Sequence, residues 1–117
     1  MQHRVTQNLV LRASAAGTRE WSRSIAIGQD NTAMFEVTLR SAAVTPITLT
    51  TKLMGSNDLE NWTFITQTVA NSVPSLTRVD GLDTLPWKYL RADYTATHAT
   101  LTPNVMIAAS ITTSRRD

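Results

Sequence analysis

The sequence predicts an all-β protein: an antiparallel β-sandwich of about eight strands, jelly-roll-like in its count. Three observations carry that expectation. Apolar and polar residues alternate with period two in several separate segments, the pattern of strands with one buried face. Turn-forming residues punctuate those segments at roughly ten-residue spacing. No stretch places its apolar residues at the i, i+3, i+4 positions of an amphipathic helix.

Residues 1–8 (MQHRVTQN) are polar and read as an N-terminal arm that only a partner would order. Residues 9–117 read as a single β-sandwich domain. Its first strand begins at Leu9, where Leu9, Leu11 and Ala13 alternate with Val10 and Arg12. Ser14–Thr18 connects to a second strand, Trp21 to Ile27, and Gly28-Gln29-Asp30-Asn31 supplies turn chemistry. Thr32 to Ser41 is the cleanest strand. Ala33, Phe35, Val37 and Leu39 point one way and Met34, Glu36, Thr38 and Arg40 the other.

Pro46 to Val69 is the hairpin around which the chain is organised. Ile47, Leu49, Thr51 and Leu53 alternate with Thr48, Thr50, Lys52 and Met54. Gly55-Ser56-Asn57-Asp58 turns the chain, and Trp62 to Thr66 resumes in β-branched and aromatic residues. Leu59 is the loop's one apolar residue and is expected beneath the hairpin. A short strand, Leu76 to Val79, follows the break at Ala70–Pro74, and residues 80–86 form a longer loop. Trp87 to Thr97 sets Tyr89, Arg91, Asp93 and Thr95 opposite Lys88, Leu90, Ala92, Tyr94 and Ala96. Val105 to Thr113 closes the domain. Phe35, Val37, Leu39, Leu49, Leu53, Leu90 and Ile107 are the expected core.

At 117 residues the chain can bury a core without covalent staples, and it has no cysteine with which to make them. That composition excludes disulfides and thiolate zinc sites and fits assembly in a reducing cytoplasm. No apolar run reaches the length of a membrane-spanning helix, and MQHRVTQNLVL lacks the apolar centre of a signal peptide. The net charge of +2 is unevenly spread. Residues 1–23 carry four arginines against one glutamate, whereas residues 24–114 carry five basic and seven acidic side chains. Widely spaced arginines are not the concentrated basic and aromatic face of a nucleic-acid binder. They do suit bidentate pairing with the carboxylates of another protein. Arg4, Arg12, Arg19 and Arg23, with Trp21 among them, are therefore the candidate interface.

Nothing in the sequence assembles a reaction. His3 lies in the arm and His98 in a turn, and there is no nucleophile motif for either to serve. Asp58 with Glu60, and Asp80 with Asp83, lack the spacing and central glycine of a calcium loop and read as solvated turns. Asn61-Trp62-Thr63 matches a glycosylation sequon without a secretory context. Catalytic residues, metal ligands, cofactors and small-molecule substrates are not expected. Of the three tryptophans, Trp62 and Trp87 are expected to pack at the core edge and Trp21 to be exposed.

The run S-N-D-x-x-N-W-T, Ser56 to Thr63, resembles a hairpin of small β-sandwich proteins. It occurs in discoidin-like carbohydrate- or lipid-binding modules and in small structural proteins of tailed phages. Residues 86–97 (PWKYLRADYTAT), followed by a Thr-Pro turn and a last apolar strand, resemble the C-terminal end of phage capsid cement (decoration) proteins. That resemblance implies a non-enzymatic jelly roll, made in the host cytoplasm and bound to the outside of a phage head. There it would clamp adjacent subunits of the major capsid protein, as a homotrimer, with no nucleic acid, membrane or small molecule as partner. The alternative is a carbohydrate-binding module of a phage tail or cell-surface assembly.

Overall fold

The computed structural model describes residues 1–43 and 47–115. The start of the predicted hairpin at Pro46 and the last two residues of the basic tail lie outside them. The described residues form nine strands: β1 (Gln2–Arg12), β2 (Thr18–Trp21), β3 (Ile25–Ala26), β4 (Thr32–Ala42), β5 (Thr48–Ser56), β6 (Thr63–Ala70), β7 (Ser75–Leu82), β8 (Tyr89–Thr97) and β9 (Asn104–Ser114). Among the described residues no helix is long and apolar enough to cross a membrane.

The strands build two antiparallel sheets. One has the order β1-β9-β4-β7; the other has β2-β8-β5-β6, with β3 also paired to β8. Counting β2 and β3 as one interrupted edge strand, the pairing nests. The first strand pairs with the last, the second with the next to last, β4 with β7, and β5 with β6. A long hairpin folded over on itself has this connectivity, and it is the jelly roll.

Alternation explains the layering. The inward residues of β4 (Ala33, Phe35, Val37, Leu39) meet those of β5 and β8, and each intervening residue faces water. All seven expected core residues are at most 1% exposed. Tyr94 and Ile111 join them in the fully buried centre. Tyr94 keeps its hydroxyl satisfied by sharing a 2.5 Å hydrogen bond with Thr6 of β1.

Three local expectations are corrected. Residues 2–8 are not an arm but the first part of β1, in register with β9 from Gln2↔Thr112 onward. Val5 is buried, and two register shifts let the strand follow its neighbour. The expected strand Trp21–Ile27 is broken after Trp21. The Ser22 hydroxyl turns inward, donating to the Arg23 carbonyl at 2.9 Å and accepting from the Ala92 N–H at 2.9 Å. A side chain has taken a place that a backbone carbonyl fills in an unbroken ladder. Leu59 is not beneath the hairpin: it is 48% exposed, at a left-handed φ of 65°. The loop is capped from inside by Ser56, whose Oγ accepts from the N–H groups of Asp58 and Leu59 at 3.2 and 3.0 Å. The apolar cover comes from Trp87, whose indole lies over Gly55.

Candidate assembly interface

The nested pairing puts the two N-terminal edge strands, β1 of one sheet and β2 of the other, along the same rim of the sandwich. All five candidate interface residues fall there. Arg4 and Arg12 are exposed on β1, Arg19 and Trp21 are exposed on β2, and Arg23 follows in the break before β3. The Arg23 guanidinium donates to the Arg4 carbonyl at 3.2 Å, tying the two sheets together at this rim. Arg12 stands apart, paired with Asn104 at the far end of β1.

From Trp21 the rim continues onto the outer face of the second sheet. Residues 19, 21, 91, 93, 52 and 54 share that face, because β2, β8 and β5 pair in register: Trp21↔Asp93 and Lys52↔Asp93, with Met54↔Arg91 beside them. The Arg91 guanidinium is sandwiched between two indoles, 4.3 Å from the Trp62 ring centre and 5.1 Å from that of Trp21. In its plane it donates to Asp93 at 2.9 and 3.4 Å. Guanidinium stacking and bidentate pairing use different surfaces of one group, so both operate together. The Asp93 side chain is only 6% exposed, and the Arg19 guanidinium closes on it at 4.0 Å.

Trp62 is thus half-buried on the outer face rather than at the core edge, whereas Trp87 does pack against the core. Trp21 is 57% exposed. The sequence named Arg19 and Trp21 but not Arg91, Asp93 or Trp62. The alternation along β8 puts Arg91 and Asp93 on the outer face; only the pairing of β2 with β8 brings Trp21 to Arg91, and only the fold of the loop before β6 brings Trp62.

The other candidate chemistry resolves into turns. The Asp58 carboxylate accepts from the N–H groups of Asn61 and Glu60 at 2.8 and 2.9 Å. The Asn61 amide and the Ser56 hydroxyl add two further bonds. These contacts, the Asn61 N–H foremost, hold Asp58 well below the usual carboxylate range. Nδ1 of His98 accepts from the N–H groups of Thr100 and Leu101 at 3.2 and 3.0 Å, which engages the nitrogen a base would need. Among the described residues no group of three or more metal-ligating side chains comes together.

The fold and rim define a small jelly roll with an arginine-rich edge. No protein-family model and no curated protein matches the chain. Solved structures do. The VP2 subviral particle of infectious bursal disease virus superposes with a TM-score of 0.62 at 8% identity, over 95% of this chain and 31% of that one. The structure of the Gx strain of the same virus gives 0.61 at 9% identity, with the same coverages. PirA gives 0.53 at 9% identity, over 96% of this chain and 97% of its own. The chain therefore spans about a third of the virus-particle chains it matches, and at these identities the likeness is one of fold.

Proposed function

We propose that this chain is a non-enzymatic structural protein of a virion, and specifically a cement protein that binds the outside of a phage head. It would act as a homotrimer, clamping adjacent copies of the major capsid protein. The observation that carries the reading is the jelly roll itself, matched over 95% of the chain by a virus-particle protein. The rim supports it: Arg4 stands exposed on β1, Arg19 on β2 and Arg23 just after β2, and among the described residues the one ion pair they make is Arg19 with Asp93 at 4.0 Å. Each exposed guanidinium is placed to pair with a carboxylate of a neighbouring subunit. Weak contacts of that kind repeat round a closed ring and add by avidity.

The test is co-sedimentation with empty heads assembled from the capsid protein encoded alongside this chain. Wild-type protein is expected to pellet with heads and not with free capsid subunits. The triple variant Arg4→Ala, Arg19→Ala, Arg23→Ala is expected to lose at least tenfold in affinity while keeping its far-UV circular dichroism. Equal binding by the triple variant would remove the rim from the interface, and absence of wild-type binding would remove the cement reading.

A second reading, carbohydrate binding, is favoured by one observation, the indole of Trp21, 57% exposed on the outer face of the second sheet. Glycan-array binding that Trp21→Ala abolishes would establish it in place of the first. Trp87, packed over Gly55, is unavailable for that role.

A further inference from the structure

The two sheets have four edges, and three are guarded against pairing with another chain. β1 carries Arg4 and Arg12 and is irregular at Arg4/Thr6 and Thr6/Leu9. The β2–β3 edge is broken at Ser22–Ser24 and carries Arg19 and Glu20. β7 carries Arg78 and Asp80, with a register shift where it passes Ala33 and Phe35. Charges, breaks and bulges are the ordinary means by which sheet edges refuse a neighbour.

β6 has little of this protection. Its eight residues, TFITQTVA, include no charge, proline or glycine. Its one irregularity lies near Phe64, leaving Thr66–Ala70 in unbroken register with Leu49–Leu53. The outer side of the strand exposes Phe64 at 51% and Val69 at 46%, and Leu76 of the adjoining β7 edge is 56% exposed. Lys52 places its ammonium 5.9 Å from the Phe64 ring centre, but from β5, over the sheet face and not along the edge.

We propose that β6 is a self-association edge, pairing antiparallel with β6 of a second copy of this chain to make one continuous sheet across a two-fold axis. The identity of the occupant follows from charge. A two-fold axis brings an edge against itself, so any charged residue near the axis faces its own like charge. Of the four edges, only β6 carries no charge of its own to meet in the copy, the nearest, Lys52, standing one strand back on β5. With Gln67 on the axis, Thr66 of one copy lies opposite Thr68 of the other, a pair that strand surfaces favour, within the stretch that pairs regularly with β5. Since β6 and β7 form the rim opposite Arg4, Arg19 and Arg23, the contact leaves the arginine rim free. It stands whether or not the chain binds capsids.

The absence of native cysteine makes the test direct. Gln67→Cys places one thiol at the axis, where directly opposed strand residues are within disulfide reach. Under mild oxidation at micromolar concentration, the Gln67→Cys protein is expected to form covalent dimers at least tenfold faster than a Thr100→Cys control in the exposed β8–β9 loop. Adding Val69→Lys, at an exposed position that leaves the core untouched, is expected to bring the rate down to that of the control. A Gln67→Cys rate no greater than the control, or one that Val69→Lys leaves unchanged in a protein of native circular dichroism, would overturn the proposal.

Discussion

Tyr94 is the largest side chain sealed in the centre of the sandwich, and its burial displaces the titration of its phenol. Burial pushes its pKa from 10.0 up to about 12; the Thr6 hydrogen bond pulls the other way, and the neighbouring Asp93 carboxylate adds to the rise. The unfolded chain gives up this proton near pH 10, while the folded chain keeps it to about 12. Below pH 10 the contribution to stability is therefore complete, and it is lost as pH rises through that window. The loss is expected to be roughly 2–3 kcal/mol by pH 12. Tyr94→Phe should cost about 1 kcal/mol at neutral pH through the lost Thr6 bond. It should also remove most of the alkaline decline, as read from urea denaturation at pH 9 and pH 11.5. A variant declining as steeply as wild type would place the titration elsewhere.

At the scale of strands, the alternation in the sequence was most legible where both neighbours of a strand are supplied by its own sheet. Thr32–Ser41 and Trp87–Thr97 were readable almost to the residue, because one face is apolar throughout and the other polar. β1 was not, since an edge strand meets water along its free edge as well as on its outer face. Gln2, His3, Arg4, Gln7 and Asn8 leave only Val5 to betray the strand before Leu9, and its partner β9 lies a hundred residues further on. The interface was legible as residues but not as geometry. Arg4, Arg19 and Arg23 stood out by charge, whereas the Trp62–Arg91–Trp21 cluster depends on β2 pairing with β8 and on Trp62, just before β6, coming over Arg91. The hairpin loop shows a related limit: Leu59 looked like the plug, yet Gly55 and Trp87 do that work from segments thirty residues apart. A Cβ at Gly55 would lie 2.4–2.8 Å from three atoms of the Trp87 indole. Gly55→Ala is accordingly expected to cost roughly 1–3 kcal/mol, as overpacking does. It should also red-shift tryptophan emission as the indole is forced outward. An unchanged denaturation midpoint and spectrum would show that Trp87 is not held there.

For the whole molecule, the nested topology makes the first strand the closing piece of the sandwich. β1 covers the edge of β9, buries Val5 and Leu11, and gives Tyr94 its only hydroxyl partner among the described residues. Removing residues 1–8 therefore does more than trim a charged segment. It takes away a buried Val, worth about 1.5–3 kcal/mol of transfer, together with the Thr6 bond and part of the β9 ladder. It also bares the upper half of β9 as a new edge with an uncharged sequence, AASITTS, the kind of edge that pairs with other chains. The truncated protein is expected to unfold at a urea midpoint well below wild type and to aggregate as concentration rises. If residues 1–8 served only as a partner-bound arm, truncation would leave the midpoint within error and reduce binding alone. Equilibrium denaturation of the truncated chain, with light scattering over a concentration series, separates the two. A midpoint matching wild type would mean that β1 contributes nothing to the fold before Leu9.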